Sequence, residues 1–185
     1  MPDSETEVPT LLKLALISER AQREPDCQFT SLAHLLNERF LEHCYHRLGR
    51  DRASGVDGVS WHEYGLHLEE NLRDLVARLK AKRYTPLPAR RVYIPKDEHS
   101  MRPLGLPALE DKIVQKAIAL ILEAIYEADF LDCSYGFRPG RNCHQSLDVV
   151  DKTVMRNPIN HVIDADIKGF FDPVSHAWML KFLGV

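Results

Sequence analysis

"VIDADIKGFFDPVSH", Val162 to His176, sets Asp164, Asp166 and Asp172 beside the adjacent rings of Phe170 and Phe171. Side chains two apart on a strand share a face. The spacing therefore predicts a strand over 161–167, with Asp164 and Asp166 on one side and Ile163 and Ile167 turned toward a core. Two carboxylates at a strand end can hold a divalent cation. The same pair also suits the nucleotide-sugar site of a metal-dependent glycosyltransferase, or a plain solvent-facing edge. Asp172, after a short turn, reads as a cap of the following element rather than a metal ligand.

Working outward, 175–182 reads as a last helix and 144–155 as the helix before the strand, with "CSYGFRPGRN" (133–142) a loop between helices. Ile113, Val114, Ala117, Ile118, Ile121 and Ile125 give a long helix over about 108–128 with two apolar flanks, hence mostly buried. Ahead of it, "ARRVYIP" (89–95) alternates like a strand and "MRPLGLP" (101–107) is its hairpin partner or an extended return, with the polar turn "KDEHS" between them. Ser60 and Glu63 form a capping box before the periodicity of Leu68, Leu72, Leu75, Val76 and Leu79, a helix expected to stop near Lys82. "RASGVDGVS" (52–60) is a turn-rich loop, 30–48 an amphipathic helix on Leu32, Leu35, Leu36, Phe40, Cys44 and Leu48, and 9–22 a shorter helix.

Composition sets the limits of what this chain can be. A length of 185 residues with 44% hydrophobic and 28% charged residues is ordinary globular material. No apolar run approaches the roughly 18 residues of a membrane span, and the acidic, polar start "MPDSETEVPT" has no signal-peptide flank, so a cytoplasmic protein with a frayed start and no membrane partner is expected. Cys27, Cys44, Cys133 and Cys143 lack paired ligand spacing and are expected to be free, buried thiols; a metal site from Cys133, Cys143 and His144 would lack the tight pairs that zinc prefers. The net charge of −3 hides a basic segment: residues 73–102 hold nine Lys or Arg against three acids. Such a stripe suits a polyanion, or it is a solvated helix face followed by a charged loop.

Five blocks, "GVDGV" (55–59), "RRVYIPK" (90–96), "RPLGLPALEDKIVQKA" (102–117), "SYGFRPGRN" (134–142) and "DADIKGFFD" (164–172), resemble in order the group II intron-encoded reverse transcriptases of maturase type. The resemblance implies an α+β chain, helix-rich with a small antiparallel sheet: the fingers of a right-hand polymerase with the beginning of its palm. It divides the chain into an N-terminal helical extension (1–54), fingers (55–160) and the start of a palm (161–185).

It further implies an RNA-directed DNA polymerase that uses Mg2+, a template RNA, a primer strand and deoxynucleoside triphosphates, with intron RNA as a partner. By the resemblance Asp166 is the first catalytic aspartate and a metal ligand, with the backbone carbonyl of Ile167 a second ligand. Lys96 and Arg102 would reach the triphosphate, and Phe171 would be the steric gate beneath the sugar, leaving Phe170 as the core ring. Arg138 and Arg141 would touch template phosphates, Tyr135 and Phe137 would pack, and Gly55 and Gly58 would lie in a loop covering the template.

A polymerase of this family also needs a later pair of adjacent aspartates, and none occurs in the 185 residues. The expectation is thus a fragment that does not polymerise DNA by itself. The alternative is a non-catalytic RNA-binding module, a truncated maturase remnant.

Overall fold

The computed structural model describes residues 10–167, 169–171 and 173–184. Asp172, expected as a cap, and residues 1–9 of the expected frayed start lie outside them. The chain forms two compact units, Met1–Leu131 and Asp132–Val185.

In the first unit the helices are α1 (Thr10–Arg23), α2 (Glu38–His46), α3 (Trp61–Gly65), α4 (Leu68–Lys80) and α5 (Leu109–Tyr126), with β1 (Arg90–Pro95) and β2 (Met101–Leu106) between α4 and α5. Helix α5 packs on α1 and α2, and α2 packs also on α4. Its two flanks bury Ile113, Val114, Ala117 and Ile121 against Leu14, Phe40, Leu41, Cys44, Leu72 and Leu75. Residues from within 1–54 therefore share one core with residues from within 55–131. Of the cysteines expected to be buried, Cys44 is, and burial pushes its thiol up to about 11, so it stays a protonated packing group, whereas Cys133 and Cys143 are exposed.

The helix expected over 30–48 is split. A single 3-10 turn covers Leu32–Leu35, and α2 starts only after Asn37. The side chain of Asn37 accepts from the Phe40 amide at 3.0 Å and donates to Thr10 Oγ1 at 3.1 Å. An asparagine that caps a following helix competes with continuing the preceding one. The apolar stripe survives the break, because Leu32, Leu36 and Leu48 still pack against the core.

The capping box is present, with Glu63 N donating to Ser60 Oγ at 3.2 Å and Ser60 N to Glu63 Oε2 at 2.8 Å. It opens the one-turn α3 rather than α4 directly, and α4 begins after His67. Lys82, where the helix was expected to stop, has φ +55° and closes the exit from α4. The hairpin matches expectation: β1 and β2 pair antiparallel, with Arg90 opposite Leu106 and Ile94 opposite Arg102.

The second unit holds α6 (Cys143–Arg156) and α7 (His176–Phe182). Both are set by local capping. The side-chain oxygens of Asn142 and Gln145 each accept from the other's backbone amide at 3.0 Å, and Ser175 Oγ accepts from Trp178 N at 3.4 Å. Neither helix has a buried residue.

The strand expected over 161–167 is not formed, and Ile163 (89% exposed) and Ile167 do not face a core. A strand exists only by pairing, and the one sheet among the described residues is β1–β2. Among the described residues, no helix is long and apolar enough to cross a membrane.

Candidate active site and nucleic-acid interface

The hairpin tip is built by the turn between its strands. Lys96 N donates to Ser100 O at 2.9 Å, while the Asp97 carboxylate accepts from His99 N at 2.9 Å and from Ser100 Oγ at 2.5 Å. Those bonds hold the Asp97 carboxyl below the usual carboxylate range, the Ser100 hydroxyl contributing most. Arg102 stands opposite Ile94 near the turn end of the hairpin, and Lys96 is the first residue past β1, its amide tied across the turn to Ser100. Both cations are exposed, and no carboxylate pairs with either among the described residues. A bidentate guanidinium and a mobile ammonium at one hairpin end suit a polyphosphate.

The basic stripe does not act as a unit. Arg78 is consumed internally, its Nε on Asp74 at 2.7 Å and its Nη2 on both Glu110 oxygens at 2.8 Å. Glu110 also accepts from Tyr64 Oη at 3.2 Å, and burial with that carboxylate drives the phenol far above its usual range. Arg73, Lys80, Lys82, Arg83, Arg90 and Arg91 stay exposed.

Loop 47–60 is latched to α5. Gly55 is buried: a Cβ there would stand 2.5 Å from the Ala108 backbone, so only glycine permits the approach. Gly58 is exposed at φ +73° with open space around it, so its glycine serves conformation. Lys112 Nζ donates to Ala53 O at 2.6 Å. The far end of the loop is clamped by Tyr45 and Trp61. Tyr45 Oη donates to Trp61 O at 2.8 Å, Trp61 Nε1 donates to Tyr45 O at 3.1 Å, and the rings stack at 4.5 Å.

Sequence reasoning missed this latch, and it missed Asp111. That carboxylate is 3% exposed on the buried flank of α5, accepting from Tyr84 Oη and from Leu87 N at 3.0 Å, and so it fixes the lead into β1. Its signal was an acid three residues before Val114 on an apolar flank.

In the second unit, Asp164 and Asp166 are exposed on extended chain. The carboxylates and the Ile167 carbonyl are hard oxygen donors, the chemistry magnesium takes. Among the described residues no cluster of three His, Cys, Asp or Glu forms, for zinc at Cys133, Cys143 and His144 or elsewhere.

Gly169, at φ +63°, turns the chain before Phe170 and Phe171, whose rings meet edge to face at 5.6 Å. Phe171 is 88% exposed and Phe170 is also exposed, so neither is a core ring. Arg138 donates to Ser134 O at 2.9 Å. Arg141 donates to Asp132 O and Oδ1 at 3.2 Å and covers the Tyr135 ring at 5.5 Å. Tyr135 thus packs as expected, whereas Phe137 is fully exposed at φ +58°, a left-handed backbone uncommon for an aromatic residue.

Residues 94–184 match the family model of reverse transcriptase (RNA-dependent DNA polymerase). The class is that of the reverse transcriptases. The group II intron-encoded protein LtrA of Lactococcus lactis subsp. cremoris is 35% identical over 181 residues, 96% of this chain and 30% of that protein. Protein YkfC of Escherichia coli (strain K12) is 42% identical over 130 residues, 69% of this chain and 34% of that protein. Nuclear intron maturase 2, mitochondrial, of Arabidopsis thaliana is 49% identical over 41 residues, 22% of this chain and 6% of that protein. The chain belongs to the group II intron-encoded reverse transcriptase and maturase family, and it spans about a third of the length of the first two relatives.

Proposed function

We propose that this chain is the fingers (55–160) and the start of the palm (161–185), preceded by a helical extension (1–54), of a cytoplasmic RNA-directed DNA polymerase that copies template RNA from a primer strand and engages intron RNA. What supports the reading is the placement of two exposed cations, Lys96 and Arg102, at the turn end of one hairpin, inside a matched segment that also contains Asp166.

In this reading Lys96 and Arg102 hold the triphosphate of the incoming deoxynucleotide. The Asp166 carboxylate and the Ile167 carbonyl would hold Mg2+. When bound, that metal supplies activation of the primer hydroxyl and neutralisation of the leaving pyrophosphate. Arg138 and Arg141 bind template phosphates, their side chains held by Ser134 and Asp132. The loop carrying Gly55 and Gly58 lies over template.

These 185 residues by themselves are expected to give no extension of a DNA primer on an RNA template, because a catalytic set that lacks its aspartate pair loses activity out of proportion to the groups missing. Robust magnesium-dependent extension by the purified chain would defeat that expectation.

The exposed ring of Phe171 is assigned to sugar discrimination. In an active polymerase carrying this segment, Phe171→Ala is expected to admit ribonucleotides with about the parental rate for deoxynucleotides. Competition between the two sugars in single-nucleotide incorporation measures this, and an unchanged preference removes Phe171 from the role.

A further inference from the structure

Loop 47–54 and the first half of α5 enclose a cavity of about 530 Å³ within the first unit. Four cations line it, Arg47 and Arg52 from the loop and Lys112 and Lys116 from one flank of α5, and no carboxylate does. Among the described residues no acid pairs with Arg47, Arg52 or Lys116, and Lys112 donates to a neutral carbonyl.

Like charges four apart on a helix repel, and gathering further cations around one cavity adds to the cost. Burial holds the Lys112 ammonium below its ordinary range, and Arg52 and Arg90 push the same way against Asp57. The floor is apolar, formed by Trp61, Leu106 and Leu109. Trp61 is fixed there by its stack on Tyr45 and by the Arg50 guanidinium, 5.2 Å over its ring, and Arg52 is braced on Gly49, where a Cβ would stand 2.9 Å from its Nε. The volume falls in the range of small-ligand pockets, about 300–1,000 Å³.

We propose that this cavity binds a nucleotide, its phosphate held by Arg47, Arg52, Lys112 and Lys116 and its base or sugar laid against Leu106 and Leu109 beside Trp61. The nucleotide is either free or one residue of a single-stranded RNA. An anion offsets the mutual repulsion, a guanidinium grips two phosphate oxygens, and the apolar floor supplies what a bare inorganic ion would not use. The site stands apart from the metal reading at Asp166, and replacing that residue is expected to leave it intact.

The test follows Trp61 emission in the full chain with Trp178→Phe as background, since the sequence holds two tryptophans. The probes are adenosine 5′-monophosphate, adenosine, and a short unstructured oligoribonucleotide at low salt. A saturable response to the monophosphate, the oligoribonucleotide or both is expected, with adenosine much weaker. Response to the monophosphate identifies a free nucleotide, and response to the strand alone identifies RNA.

Arg52→Gln and Lys116→Gln are each expected to weaken binding about tenfold. Each should also lower the salt slope of RNA binding by about one. Ligand should raise the melting temperature of the parent more than that of either variant, which keeps the comparison independent of fluorescence. No saturable response to any probe, adenosine binding as well as its monophosphate, or equal affinity in parent and both variants would each overturn the proposal.

Discussion

Replacement of Asp166 by alanine in a polymerase carrying this segment is expected to lower RNA-templated extension by on the order of 10⁴-fold or more, while affinity for the template stays within a few-fold of the parent. The two effects separate because they rest on different groups. Extension needs the carboxylate that would hold magnesium beside the Ile167 carbonyl, and those donors have no acidic third neighbour among the described residues to take over. On the polymerase reading template affinity comes mainly from phosphate contacts, for which Arg138, bonded to Ser134 O, and Arg141, bonded to Asp132, are the candidates. Primer extension and RNA binding by anisotropy on the same preparation measure both. Extension that survives the substitution would shift the metal role to Asp164.

Phe40→Ala is expected to cost the first unit about 3–5 kcal/mol, a large share of the roughly 5–15 kcal/mol that holds an ordinary domain together. The ring is 1% exposed in the core. Its amide is also the one that Asn37 caps, so the side chain sits where the break before α2 is anchored. Its core neighbours sit on helices already packed against one another, which limits how far they can fill the void. Urea unfolding followed by far-ultraviolet circular dichroism should show the midpoint fall with little change in slope. A loss below about 1 kcal/mol would mean that the surrounding helices collapse into the space. Phe40→Leu should cost clearly less than alanine.

The parts of this molecule legible in the sequence are those that close over short distances. The hairpin was readable because alternation in 89–95, the turn "KDEHS" and the partner "MRPLGLP" lie within nineteen residues. The Ser60 box and the start of α6 were readable because their bonds span three residues. Asn37 was hidden inside an apolar period that runs through it unbroken: its cap on the Phe40 amide is local, but the bond to Thr10 that anchors its side chain spans 27 residues.

The strand over 161–167 failed for the opposite reason, since its alternation is correct but pairing comes from elsewhere in a chain. The Lys112 latch spans 59 residues and the Asp111 clamp on Leu87 spans 24; an acid on an apolar flank marks Asp111 as buried, but no pattern along the chain reports the partner of either. Of the candidate site, composition reached only the basic stripe. The roles given to Asp166, Phe171 and the hairpin cations came through the family resemblance.

The bare flanks of 162–171 bear on how tightly a cation can be held. Ile163, Ile167, Phe170 and Phe171 are all exposed, so the backbone carrying Asp164 and Asp166 is not pinned by side chains packed on both sides. A carboxylate on an unpinned backbone chelates weakly, because the ordering of its loop is charged against each binding event. On the polymerase reading, covering these apolar side chains and loading magnesium become linked equilibria. Whatever buries the isoleucines tightens the metal, and the metal in turn favours the buried form by an equal free energy.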